Sequence, residues 1–131
     1  MKRLAMAAVL ALTGTIAAAD PLEGQWRTAA DDNGNSGLIV VGACPSNGAL
    51  LCGQLVQAYG PDGSQIASDN VGRMIIFDTA PHSGNEYRGK VYSPDRDATY
   101  NSRLTLSGNS LSVQGCVLGV CRDGGTWQRA N

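Results

Sequence analysis

Turn-forming residues divide this chain into segments that are too short for long helices. Glycine alone supplies 17 of the 131 residues, and Asn, Asp and Pro fill many of the other breaks. Between the breaks, apolar and polar residues alternate, as in Leu104-Thr105-Leu106 and Leu111-Ser112-Val113. A period of two places successive side chains on opposite faces of a strand. The pattern therefore predicts an all-β fold whose strands each have one apolar face.

We expect eight antiparallel strands joined mainly by hairpin turns. They cover residues 23–29, 38–43, 50–58, 71–77, 87–92, 98–106, 110–117 and 120–129. Such strands can fold as a sandwich or close as a barrel, and closure leaves no exposed strand edge. We therefore predict a small up-and-down barrel of about eight strands, with long polar loops at residues 59–70 and 78–86.

The first 19 residues have the three parts of a secretory signal. Lys2 and Arg3 precede an apolar run, and Ala17-Ala18-Ala19 forms an A-x-A cleavage site. The run of about nine residues is short for a membrane span, which needs roughly twenty. We therefore expect a signal peptide over residues 1–19, one domain over residues 20–131, and export to the periplasm or beyond without a membrane span.

Charge argues against nucleic acid as a partner. Removal of Lys2 and Arg3 with the signal takes the basic residues from 10 to eight, against 11 acidic residues. Bulk attraction to phosphates requires a basic surface, and no Lys/Arg cluster supplies a local one.

All four cysteines lie in the expected mature chain, and an exported chain meets conditions in which cysteines pair. Because each pair brackets a turn, we expect disulfides Cys44–Cys52 and Cys116–Cys121, the second around a Leu118-Gly119 turn. The spacings C-x7-C and C-x4-C are not those of a four-thiolate zinc site. No metal or other cofactor is expected.

A tryptophan lies near each end of the expected domain. Gly24-Gln25-Trp26 opens the first strand and Trp127-Gln128-Arg129 closes the last. These residues resemble lipocalin and avidin-type barrels, in which Gly-x-Trp opens the first strand and an Arg from the last strand covers the indole. A guanidinium over an indole adds roughly 0.5 to 2 kcal/mol. Trp26, Trp127 and Arg129 are therefore expected to close the barrel, the alternative being that both indoles are ordinary core residues.

A second resemblance covers essentially the whole expected mature chain. The motifs are Asp20-Pro21-Leu22-Glu23-Gly24-x-Trp26, Leu51-Cys52-Gly53, Tyr92-Ser93-Pro94-Asp95 with Tyr100, Leu111-x-Val113-x-Gly115-Cys116, Cys121, and Trp127-x-Arg129. Together they are similar to an exported bacterial family called domain of unknown function 2147, although residues 69–73 are simpler here than in that family. The resemblance implies an exported bacterial domain without an assigned activity.

Residues with catalytic chemistry are few in this sequence. His82, the single histidine, is expected in a solvated loop, where the adjacent Ser83 cannot converge with it as nucleophile and base. Asp95 and Asp97 flank one arginine after a proline and are expected in a surface turn. The chain is therefore not expected to be an enzyme.

One short stretch begins like a calcium loop. Asp31, Asn33 and Asn35 occupy the first ligand positions, but Ser36 stands where that loop needs Gly, and Gly42 where it needs Glu. A hairpin turn is expected here.

Two functions remain open on the sequence. The first is a binding protein that takes a small, partly apolar ligand in the barrel, with Arg73, Tyr92 and Tyr100 near the cavity. The second is an envelope interaction module with a filled barrel, which binds another protein through its loops. A void inside the barrel would favour the ligand, and a packed interior would favour the interaction module.

Overall fold

A computed structural model describes residues 19–131, which contain nine strands. These are β1 Gly24–Arg27, β2 Ser36–Cys44, β3 Asn47–Tyr59, β4 Gln65–Ile66, β5 Met74–Ser83, β6 Glu86–Ser93, β7 Ala98–Ser107, β8 Ser110–Val117 and β9 Val120–Arg129. The expected signal peptide lies outside the described residues except for Ala19. None of the described residues forms a helix that is long and apolar enough to cross a membrane.

Eight of the strands close an antiparallel barrel. Each pairs with its neighbour in the order β1-β2-β3-β5-β6-β7-β8-β9, and β9 returns to pair with β1. The predicted all-β up-and-down barrel is thus confirmed. The additional strand, β4, forms a two-residue hairpin with the end of β3 and stays outside the ring.

The two long loops expected at residues 59–70 and 78–86 are only partly loops. β4 occupies residues 65–66 of the first, and β5 runs through most of the second. Only Gly84 and Asn85 separate β5 from β6, so His82 is exposed on a strand and does not lie in a loop. The strand predicted at residues 71–77 thus corresponds to β5, which begins and ends later, at Met74 and Ser83.

A bulge explains why β5 continues beyond the predicted end. The pairing of β5 with β6 shifts between Phe77 and Ala80, and Asp78 has a φ of 49°. Thr79 turns into the barrel, fully buried, and its hydroxyl donates to the Phe77 carbonyl. Gly89 faces this bulge, since a Cβ there would lie 2.7 Å from the Thr79 Cα. The extra residue interrupts the period of two. The alternation of apolar and polar residues therefore does not indicate that the strand continues beyond Phe77.

Apolar side chains fill the interior of the barrel. Every strand of the ring contributes at least one of them, and five are essentially inaccessible: Trp26, Ile39, Ile76, Leu104 and Leu111. The core is therefore a packed one in which indole rings and branched aliphatic chains occupy the space.

The N-terminal turn closes one end of this core. Leu22 is fully buried, and the Trp26 indole N–H donates to its carbonyl at 2.9 Å. One carboxylate oxygen of Asp20 accepts from the Leu22 N–H and, at 2.6 Å, from the Tyr87 hydroxyl. The turn is thereby attached to both β1 and β6.

Arg129 connects that turn to the last strand. Its guanidinium carbon lies 4.3 Å from the centre of the Trp26 ring, and Arg129 and Trp26 are also register partners across the β1–β9 seam. The same guanidinium donates to the carbonyls of Glu23 at 3.1 Å and Pro21 at 2.7 Å. Trp127, two residues earlier on β9, is buried opposite Leu111 of β8.

Two disulfides link neighbouring strands. Cys44 bonds Cys52 between β2 and β3, with Cα atoms 4.8 Å apart, and Cys116 bonds Cys121 between β8 and β9, with Cα atoms 4.0 Å apart. Both are the predicted pairs, in which the two cysteines flank a turn. Closing loops this short lowers the conformational entropy of the unfolded chain. Each disulfide thereby stabilises the fold by roughly 2 to 3 kcal/mol.

Replacement of Arg129 by Ala should lower the free energy of unfolding by about 1 to 3 kcal/mol, because it removes the contact with the Trp26 ring and two charge-assisted hydrogen bonds. Denaturation in urea measures the change. Arg96→Ala, at an exposed turn position, is the matched control and should change stability by less than about 0.5 kcal/mol. Equal effects of the two substitutions would contradict a closing role for Arg129.

The stability that Tyr87 contributes should decrease at alkaline pH. Burial and the hydrogen bond to Asp20 raise the pKa of Tyr87 to about 12. The folded chain then favours the neutral phenol, so this stability is present below about pH 10 and is lost as the pH rises towards 12. Tyr87→Phe should be less stable than the parent at pH 8, and the difference should shrink by pH 11.5. A difference in unfolding free energy that stays constant over this range would rule out the assignment.

Candidate functional site

The two ends of the barrel are built differently. The N-terminal turn closes one end. The other end, termed here the tip end, carries the β1–β2 loop, the β4 hairpin, the β6–β7 turn and the β8–β9 turn. Surface features that could recognise a partner are concentrated at the tip end and on the adjoining sides of β6 to β9.

The residues expected to line one cavity lie on two faces of the sheet. In the β6–β7 pairing, Tyr92 opposes Thr99, whereas Tyr100 opposes Val91, which is buried in the core. Residues of successive pairs point to opposite sides of a sheet. The structure therefore brings Arg73 and Tyr92 together and leaves Tyr100 on the other face.

Arg73, Tyr92 and Asp97 form a cluster of mutually satisfied groups. The Arg73 guanidinium carbon lies 4.9 Å from the centre of the Tyr92 ring, and the Tyr92 hydroxyl donates to the Asp97 carboxylate at 2.8 Å. That hydrogen bond is the main reason why the pKa of Tyr92 lies above its usual value, and the charge of Arg73 opposes the shift. Asp97 has a φ of 46°, so the cluster anchors a strained β6–β7 turn.

Two shallow depressions lie beside the β8–β9 hairpin, at the surface of the barrel. One, of about 520 Å³, is bordered by Tyr100 together with Lys90, Thr99, Asn101, Cys116, Val117 and Leu118. The other, of about 300 Å³, is bordered by residues of β6 and β7 and by the Cys116–Cys121 disulfide. Asn101 and Cys116 border both, so the depressions are neighbours.

The turn of the β8–β9 hairpin, residues Val117, Leu118, Gly119 and Val120, is termed here the hairpin tip. Its three apolar side chains are exposed, Leu118 by 97%, Val120 by 62% and Val117 by 54%. Leu118 and Gly119 both have positive φ, 52° and 81°. This is the type I′ geometry that Asn-Gly adopts readily and that a leucine adopts only with strain.

The hairpin tip is held rigidly despite its exposure. Cys116 and Cys121, which are bonded, are register partners directly behind it, and Val117 pairs with Val120. The Leu118-Gly119 turn is predictable from the sequence, but its exposure is not. The one sequence signal for a site here is an apolar residue where this turn type favours Asn.

The remaining candidate residues have local roles. Asp31 accepts hydrogen bonds from the N–H groups of Asn33 and Asn35, which form the expected hairpin turn. Asp95 and His82 are exposed. Among residues 19–131, no three His, Cys, Asp or Glu side chains are grouped as metal ligands would be.

A scan against protein-family models matches residues 24–129 to the family described as an uncharacterized protein conserved in bacteria, DUF2147. The match covers the whole barrel, so the chain belongs to this family, as its motifs predict. No curated protein matches the chain. No solved structure matches it either.

The strain at the hairpin tip leads to a stability prediction. Leu118→Asn should raise the free energy of unfolding by about 1 kcal/mol, because Asn tolerates the left-handed conformation. Leu118→Ala keeps a Cβ in that conformation and should leave stability within about 0.5 kcal/mol of the parent. Urea denaturation with the disulfides intact measures both. A destabilised Leu118→Asn variant would show that Leu118 stabilises the fold.

Proposed function

We propose that this member of the DUF2147 family is an exported binding module, which recognises a protein of the bacterial envelope by inserting its hairpin tip into an apolar recess. The observation that carries the proposal is the exposure of Leu118, 97%, in a strained conformation at a disulfide-linked turn. The turn needs a left-handed residue, but it does not need a leucine. Such residues in strained conformations are typical of binding sites.

The packed interior supports recognition on the outside of the barrel. The indoles of Trp26 and Trp127 and the aliphatic side chains around them occupy the space in which a larger barrel holds a ligand. Export is supported by two disulfides in a small domain, since disulfides persist in oxidising compartments.

Burial of the hairpin tip would supply useful affinity at little entropic cost. A leucine side chain that is buried on binding contributes roughly 1.5 to 3 kcal/mol, which corresponds to about 10-fold to 100-fold in affinity. Because the disulfide already holds the turn, the tip loses little conformational freedom on docking.

A small, partly apolar ligand is the second candidate function. It is supported by the depression of about 520 Å³, where Tyr100, Val117 and Leu118 offer apolar surface beside Lys90. Such a ligand would bind at the surface beside the hairpin and not in the interior.

The proposed function can be tested on tagged protein isolated from its own envelope fraction. Native mass spectrometry should find a protein bound to the parent chain, and recovery of that protein should fall at least 10-fold with Leu118→Asn, which removes the apolar anchor. Val40→Thr, at an exposed apolar position of β2, is the matched control and should retain the partner. A small molecule retained in place of a protein, or a partner retained by folded Leu118→Asn, would refute the proposal.

The proposal also holds that the protein binds and does not catalyse. His82→Ala and the double variant Asp95→Asn, Asp97→Asn should leave partner recovery unchanged, because these exposed side chains are not part of the hairpin tip and border neither depression. Complementation of a deletion strain should likewise be unaffected. A folded His82→Ala variant that fails to complement would reopen an enzymatic role.

A further inference from the structure

The outward side of β6 and β7 places two like charges directly opposite each other. Arg88 and Arg103 are register partners, and their side chains are 45% and 40% exposed. Like charges in this position destabilise a sheet. A pair of arginines is therefore an unfavourable choice unless anions neutralise both guanidinium groups.

The described residues place one carboxylate beside this pair. Glu86, two residues before Arg88 on the same side of β6, forms a salt bridge with Arg88 and lies 3.8 Å from the Arg103 Nε. The hydrogen bond from Arg88 is the main cause that holds the pKa of Glu86 below its usual value. Glu86 is thus an ionised partner that both arginines share, and its single charge does not balance two guanidinium groups.

Arg103 is the less satisfied of the two arginines. Its Nε is shielded from solvent, and no described group accepts a hydrogen bond from it. A shielded donor without an acceptor is costly, and a bound carboxylate would satisfy it. Lys90, two residues beyond Arg88, adds a third cation to this side and donates to the Asn101 side chain at 3.0 Å.

The depression of about 300 Å³ opens between these groups and the hairpin. It is bordered by Arg88, Arg103 and Asn101 on one side and by Gly119 and the Cys116–Cys121 disulfide on the other. Arg88, Lys90 and Arg103, termed here the cationic side, therefore adjoin the hairpin tip across the second depression, which Lys90 and Leu118 both border.

We propose that the cationic side binds carboxylates of an acidic polypeptide segment, one of them at the Arg103 guanidinium, whose Nε has no acceptor among the described groups. The segment belongs to the partner that receives the hairpin tip, so the inference rests on the proposed function and names the chemistry of the partner. Guanidinium groups bind carboxylates through paired charge-assisted hydrogen bonds. The adjoining hairpin tip would contact an apolar residue next to the acidic residues of that segment.

Charge at the tip end argues against an anionic membrane as the occupant. A bilayer that received Leu118 would also meet the neighbouring loops, which carry six acidic residues against two basic ones. The acidic residues are Asp31, Asp32, Asp62, Asp69, Asp95 and Asp97. A polypeptide that follows the side of the barrel avoids these carboxylates.

The test uses a tetraglutamate peptide as the probe. We expect the peptide to shift the NMR signals of the Arg88 and Arg103 side-chain Nε–H groups at low ionic strength. Arg103→Gln should weaken the binding about tenfold, and added salt should also weaken it. Arg96→Gln is the matched control, because it removes the same charge from a turn away from the depression and should change the affinity by less than about twofold.

Further measurements identify the source of the bound anion and separate this proposal from the proposed function. Inorganic phosphate that binds as tightly as the peptide, binding to anionic phospholipid vesicles, or equal weakening by Arg96→Gln and Arg103→Gln would each overturn the assignment to an acidic polypeptide. Leu118→Asn should leave tetraglutamate binding unchanged. Loss of the envelope partner with retention of peptide binding would therefore test the hairpin tip separately from the arginines. Arg103→Gln should keep the parental thermal stability, because relief of the like-charge pair offsets loss of the exposed contact with Glu86.

Discussion

The seam between β1 and β9 is the contact on which the closed barrel depends. Its register has only two pairs, Trp26 with Arg129 and Arg27 with Gln128, whereas β6 and β7 share eight. Backbone hydrogen bonds alone hold so short a seam weakly. The Arg129 side chain adds the contact with the Trp26 ring and two bonds to the N-terminal turn, and the Ala130 N–H donates to the Gln25 carbonyl beyond the last pair. Closure thus depends on side chains at the two ends of the barrel sequence.

Closure by bulky side chains has a consequence for function. Trp26, Leu22 and Trp127 occupy the core, so the barrel is a rigid scaffold and binding is expected on its outer surface. There the molecule retains two unfavourable local choices, a leucine in a left-handed conformation and an arginine opposite an arginine. Both border depressions beside the same disulfide-linked hairpin. Natural proteins accept such costs where a partner compensates for them, which is why the two features support one recognition surface.

Much of the fold could be predicted from short stretches of the chain. The Leu118-Gly119 turn, the pairing of Cys116 with Cys121 and the alternation in β7 and β8 are local patterns, and the structure contains all three. The extension of β5 could not be predicted in this way. The bulge at Asp78 shifts the alternation by one residue, and it packs Thr79 against Gly89 of a different strand, where a larger residue would not fit. The candidate site was missed for a related reason, since exposure is a property of the assembled barrel.

The sequence by itself determined the all-β class, most of the turns, the two disulfides and the family, because each depends on residue identity over a few positions or on motifs. Only the tertiary structure decided which side chains meet. Tyr92 and Tyr100 lie on opposite faces, Arg88 opposes Arg103, and the hairpin tip adjoins the cationic side. These juxtapositions follow from strand register, which is set by the packing of the whole core and by bulges. A shift of one residue would reverse every face, so local pattern cannot specify them.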